Sequence, residues 1–213
     1  MSVDLGEKDE RLSSIFLFTG LGLTSNVYVI GENSITLVDS GNGAVANRIT
    51  PKLLRLGLNP KSIRQLVLTH IHLDHVGGMT EIVGRTTAKI LLFHEDVPVL
   101  DLDRARTVGL RDGDSVETER GPLRVIHTPG HTRGSICFLD EKRRILFSGD
   151  TVFSDGSFGR CDLEGGGIQE MIGSLERLSK MDVDVLLPGH GNVVLRRAAA
   201  HINMSLESAK SYL

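Results

Sequence analysis

Between His70 and His75 the chain reads His-Ile-His-Leu-Asp-His, so four side chains able to bind a metal fall within six residues. In an extended segment, residues two apart point to the same side, which lets His70 and His72 grip one ion. Asp74 and His75, where the chain turns toward Val76-Gly77-Gly78, can face a second ion nearby. Imidazole and carboxylate suit Zn2+, Fe2+ or Mn2+, and no cysteine in the segment suggests a closed thiolate site. The chemistry such a segment supports is metal-assisted attack by water on an electrophile.

One segment cannot complete two coordination spheres, so further ligands must come from elsewhere. Three places supply them: His131 in Thr128-Pro129-Gly130-His131-Thr132, Asp150 in Ser148-Gly149-Asp150-Thr151, and His190 in Leu187-Pro188-Gly189-His190-Gly191. Each follows a short apolar run, so a rigid strand delivers a polar group to a loop. Asp39, ending the run at Val38-Asp39-Ser40-Gly41, is either a carboxylate that orients a ligand histidine or a turn former. The remaining histidines read as ordinary: His94 and His201 as surface or helix residues, His127 as structural. Cys137, inside an apolar run, reads as core, and Cys161 as a loop cysteine.

The elements that must position these groups are mostly strands. Ser14–Thr19, Asn26–Ile30, Ser34–Val38, Gln65–Thr69, Lys89–Phe93, Leu123–His127, Ile136–Leu139, Ile145–Ser148 and Val183–Leu187 are apolar runs rich in β-branched and aromatic residues. Asp140-Glu141-Lys142-Arg143 reads as a hairpin loop. Thr50-Pro51 predicts a helix N-cap followed by proline at the first helical position, opening Lys52–Leu56 and stopped by Gly57. Ala44–Ile49 can form an earlier turn of that helix. Ile168–Lys180 places Ile168, Met171, Ile172, Leu175 and Leu178 on one helical face, and Arg196–Tyr212 reads as a last helix with a weaker stripe. Two sheets covered by helices suit this order, though periodicity does not fix the topology.

A chain of 213 residues with 40% hydrophobic and 24% charged residues has the makeup of a globular protein large enough for a real core. Its formal net charge of −3 and scattered 24 Lys and Arg argue against a nucleic-acid partner. The start carries Asp4, Glu7, Lys8, Asp9, Glu10 and Arg11 ahead of the first apolar run, unlike a signal peptide. No window reaches the roughly 20 apolar residues of a membrane helix, and two cysteines imply no disulfide framework. A cytoplasmic enzyme with a small-molecule substrate, and neither a nucleic-acid nor a membrane partner, is the expectation; the oligomeric state is not written in the sequence.

These residues together resemble the metallo-β-lactamase fold superfamily and, within it, the glyoxalase II-like branch. The markers are Thr69–His75 with Gly77-Gly78, His127–Thr132 with Gly134-Ser135, Phe147–Thr151 and Leu187–Gly191, in the family's order and covering about Asn26 to Gly191. The resemblance implies one α/β domain over residues 1–213, an αββα sandwich of two mixed β-sheets flanked by helices. It implies two divalent ions, zinc by preference with iron or manganese also suited. His70, His72 and His131 would hold the first ion, Asp74, His75 and His190 the second, and Asp150 would bridge them. A metal-bridging hydroxide would then cleave a thioester or related acyl compound, with Asp74 and Asp150 as the carboxylates closest to the reaction.

Two departures from dedicated hydroxyacylglutathione hydrolases stand out. Residues 192–213 are fewer than those enzymes use for their glutathione-binding C-terminal region, so a short form is expected. The loop after Asp150 reads Gly159-Arg160-Cys161-Asp162-Leu163 where those enzymes place a lysine and a tyrosine, making Arg160 a candidate substrate contact. The Gly-Arg-x-Asp pattern instead resembles that of short glyoxalase II-like proteins and of persulfide dioxygenases. An oxidoreductase with one Fe2+ on His70, His131 and Asp150 is therefore the alternative reading, and a nuclease of the superfamily a further one.

Overall fold

The computed structural model describes residues 2–100 and 103–213. The chain divides into two compact units, one of residues 1–110 and 117–122, the other of residues 111–116 and 123–213.

The first unit is built on a seven-stranded sheet in the simple order β1 to β7. Its first four strands, β1 (Ser2–Asp4), β2 (Ile15–Phe18), β3 (Val27–Ile30) and β4 (Ile35–Val38), form an antiparallel meander. From β4 onward the pairing is parallel, through β5 (Ile63–Val67), β6 (Lys89–Phe93) and β7 (Thr107–Leu110). Parallel neighbours need crossovers, and these carry α1 (Ile49–Arg55), α2 (Leu73–Val76) and α3 (Met79–Arg85). Alternate strand residues such as Phe16, Val29, Leu37, Leu66 and Ile90 pack against Ile49, Leu53, Val76 and Ile82 of those helices in one apolar cluster. The intervening residues Tyr28, Val38, Val67 and Phe93 are buried too, which is why the strands read as continuous apolar runs.

The second unit carries a five-stranded sheet ordered β12-β11-β10-β9-β8. These strands are β8 (Ser115–Thr118), β9 (Gly121–His127), β10 (Ile136–Asp140), β11 (Ile145–Gly149) and β12 (Val185–Pro188). β9, β10 and β11 alternate in direction, while β12 runs parallel to β11 through the crossover helix α4 (Ile168–Leu178). Met171, Ile172, Leu175 and Leu178 of α4 pack with Ile202, Leu206 and Ala209 of α5 (Ala198–Lys210) and with Leu146 and Leu186.

The long apolar runs fall where the sequence places them, within two residues at most ends. The differences have local causes. Thr50 does not cap α1: the helix already begins at Ile49, and the carboxylate of Glu81, on α3, accepts the N–H groups of Ile49 at 3.0 Å and Thr50 at 3.1 Å. A side chain more than thirty residues away does the work expected of the local threonine. Residues Val45–Asn47 form a separate 3-10 turn, not an early turn of α1. The strand expected at Gln65–Thr69 runs from Ile63 to Val67, which frees Leu68 and Thr69 to lead into the histidine segment. The short strands β1, β7 and β8 were not expected; each has too few apolar positions to show a period.

Candidate metal centre

In the first unit, β4, β5 and β6 are parallel, so Asp39 and Thr69–His70 both leave the carboxyl edge of their strands. His70 Nε2 and His72 Nδ1 lie 3.1 Å apart with their rings at 87°. Two nitrogens on one tetrahedral ion, each 2.0–2.1 Å from it, sit about 3.3 Å apart, so a pair spaced like this one can share an ion as well as a hydrogen bond. α2 then turns the chain, carrying Asp74 and His75; Asp74 Oδ2 is 3.7 Å from His75 Nε2, and the rings of His70 and His75 are 4.0 Å apart.

Asp39 organises this cluster. One carboxylate oxygen accepts the Thr69 N–H at 2.8 Å; the other accepts the Thr69 hydroxyl at 2.9 Å and lies 2.8 Å from His75 Nδ1. That contact makes Nδ1 the protonated nitrogen of His75 and Nε2 the one that carries the lone pair for a metal. Asp39 itself holds φ 60°, a left-handed conformation that non-glycine residues adopt at a cost, and it is 2% exposed. Ser40 pins the same histidine from behind, its N–H and hydroxyl both donating to the His75 carbonyl at 2.7 and 2.8 Å. Gly78 is required here because a Cβ would stand 2.1 Å from the Ser40 carbonyl oxygen. Thr69 and Ser40 escaped the sequence reading; their signal was adjacency to His70 and Asp39.

In the second unit the strand directions explain why three distant loops share an edge. β9 and β11 are both antiparallel to β10, and β12 is parallel to β11, so all three end on one side. Those ends deliver His131, Asp150 and His190. His131 Nε2 and His190 Nε2 each lie 3.6 Å from Asp150 Oδ2, whose side chain is 10% exposed. The support is mostly backbone. His131 Nδ1 donates to the Arg160 carbonyl at 2.8 Å, which turns its Nε2 lone pair toward Asp150. Gly159 donates its N–H to the Asp150 carbonyl at 2.8 Å, and a Cβ there would meet that oxygen at 2.4 Å and His131 Nδ1 at 2.7 Å. Gly130, at φ 136°, packs on the start of α4, accepting the Gly167 N–H at 2.8 Å.

The other sequence candidates separate clearly. Arg160 turns its side chain outward, 68% exposed and bidentate on Asp162 at 2.9 and 2.8 Å, so its tie to this edge is its carbonyl. His127 holds the Arg133 carbonyl at 2.8 Å as a structural contact. Cys137 is fully buried and Cys161 partly so; burial pushes both thiols up to about 11. Each unit's set combines imidazoles with one carboxylate and no thiolate, a donor chemistry that fits zinc, iron or manganese.

The chain belongs to the metallo-beta-lactamase superfamily, whose sequence profile matches residues 20–190. Its two mixed sheets with flanking helices are the α/β sandwich fold of that family, as expected. It is 30% identical over 210 residues to the "Probable metallo-hydrolase MJ0888" of Methanocaldococcus jannaschii, spanning 89% of this chain and 98% of that one. It is also 30% identical over 177 residues to the atrochrysone carboxyl ACP thioesterase of Aspergillus fumigatus, covering 80% of this chain but only 51% of that protein. The crystal structure of TTHA1623 in a di-iron-bound form superposes with a TM-score of 0.72 at 26% identity, covering 90% of this chain and 96% of that one. No helix among the described residues is long and apolar enough to cross a membrane.

Proposed function

We propose that this protein is a metal-dependent hydrolase of small acyl compounds, thioesters first among them, in which the two ligand groups act on a shared pair of divalent ions, zinc by preference. His70, His72 and His131 would hold one ion and Asp74, His75 and His190 the other, with Asp150 available to both. The observation that carries the reading is the pair of ligand sets, each at a strand edge and each with a key nitrogen fixed by an outer partner. Divalent ions bound there supply Lewis acidity and bring the pKa of water near neutrality.

The chain's own groups then have definite tasks. Asp39 keeps the His75 proton on Nδ1, and the Arg160 carbonyl does the same for His131. Asp74, on the first turn of α2 and partly exposed, can orient a water by accepting its proton at Oδ. The metallo-hydrolase and thioesterase relatives support hydrolysis, and the di-iron neighbour supports two ions.

Metal analysis of protein purified without added metal, beside a panel of thioesters, tests this. About two ions per chain, with activity abolished by EDTA and restored by metal, is the expected result. Full activity in metal-free protein overturns the reading. One iron per chain with O2 consumption on a persulfide would replace it with the dioxygenase.

A further inference from the structure

The loop that braces His131 and Asp150 also borders a cavity. Residues 157–162, together with Ile168, Ser208 and Tyr212, wall a cavity of about 620 Å3 within the second unit. Its place follows from the helix directions. α5 starts beside the beginning of β12, where the Ala198 N–H donates to the Asp184 carbonyl at 3.0 Å and the Arg197 N–H to the Asp184 carboxylate at 2.8 Å. Its 13 residues then rise about 20 Å, more than the roughly 13 Å of a four-residue strand. Farther along, the Ser205 hydroxyl donates to the Ser157 carbonyl at 2.8 Å, in the loop that follows Asp150. The cavity therefore lies at the strand edge that bears Asp150 and His190.

Its walls expose more apolar than polar surface and are uncharged in sum. Phe158 and Tyr212 meet edge to face with centroids 5.9 Å apart, and Ile168 closes one side. The Cys161 thiol, raised to about 11, is neutral at ordinary pH. The cation in the wall, Arg160, is cancelled by the bidentate Asp162. A pocket of this size suits a group of drug-like dimensions, and the walls offer no uncompensated cation to an anion.

We propose that this cavity receives the apolar acyl chain of the substrate, which directs the enzyme to medium-chain acyl thioesters and away from thioesters of short polar acyl groups such as lactoylglutathione. The assignment rests on the hydrolase reading above, and a binding measurement separates the two. On metal-loaded protein, octanoyl-N-acetylcysteamine should be cleaved with kcat/KM on the order of 100-fold above the acetyl thioester, since each buried methylene adds. Ser208→Trp fills the cavity from the surface of α5, so it should bring that ratio near one by lowering octanoyl cleavage. The same variant should weaken binding of the neutral fluorophore N-phenyl-1-naphthylamine at least tenfold. Tyr212→Ala, which removes a wall, should weaken it also and serves if the tryptophan variant does not fold.

Unchanged fluorophore affinity and chain-length ratio in folded Ser208→Trp overturn the cavity assignment, as does lactoylglutathione cleaved as fast as the octanoyl thioester. Fluorophore binding lost in Ser208→Trp, with no thioester cleaved by either protein, supports the cavity and overturns the hydrolase reading instead.

Discussion

The two ligand groups are held by different means. In the first unit, four candidate ligands come from one short segment, and side chains hold them: Asp39, Thr69 and Ser40 form a buried polar network around His75. In the second, three candidates come from three loops, and peptide groups and glycines hold them, at Gly130, Gly159 and Arg160. A contiguous motif fixes its own register, so side chains need only set tautomers and angles. Dispersed ligands need the strand ends and loop backbones to bring them into register. The first arrangement should therefore break by chemistry and the second by sterics.

The largest effect is expected from the ligand both ions would share. Asp150→Asn should lower kcat/KM by about 10³-fold or more, several kcal/mol of lost electrostatic stabilisation, with metal content falling in parallel. Retention of both metal and activity would remove Asp150 from the centre. Asp39→Asn comes next. The amide still accepts the Thr69 N–H, but its NH2 faces His75 Nδ1, so the histidine is no longer held in the ligating tautomer. Loss of an outer partner of this kind costs about 10- to 100-fold in metal affinity, read by competitive chelation. An unchanged affinity would return Asp39 to the role of a turn residue.

How much was legible beforehand follows the same division. His70 to His75 could be read directly because the ligands and their spacing lie in one string of residues. His131, Asp150 and His190 could be read only as strand-end loops, and what brings them to one edge is the direction of β9, β11 and β12, which periodicity does not encode. The backbone supports were invisible for a physical reason: any residue has a carbonyl, so Arg160 drew notice for a guanidinium that turns away. The cap of α1 failed similarly, since Glu81 and Ile49 meet only after folding.

Gly159→Ala tests the steric half. The added methyl would stand 2.4 Å from the Asp150 carbonyl oxygen and 2.7 Å from His131 Nδ1, and both neighbours are fixed. The loop must shift, at a typical overpacking cost of about 1–3 kcal/mol, and activity should fall about tenfold or more as the His131 support moves. Thermal unfolding and kcat/KM measured together check this. Loss of stability with activity intact would show that the loop braces the fold and not the ligands.

The smallest effect sharpens the comparison by finding a dispersed support in the first unit as well. Glu119, from the returning segment 117–122, accepts the N–H groups of Glu32 at 3.0 Å, Asn33 at 2.9 Å and Ser34 at 2.6 Å in the turn between β3 and β4. Those donors, the Glu32 N–H foremost, hold its carboxyl below the ordinary 4.5. Because the folded value is depressed, the stabilisation is fully present above pH 4.5 and disappears as pH falls through the lowered value. The carboxylate is exposed, so Glu119→Gln should cost about 1 kcal/mol or less at neutral pH. The difference in Tm between the two proteins should shrink toward zero as the pH is taken below the lowered value and the native carboxylate is protonated as well. A difference that stayed constant across that range would mean that side-chain packing, and not the charge on Glu119, ties the returning segment to the first sheet.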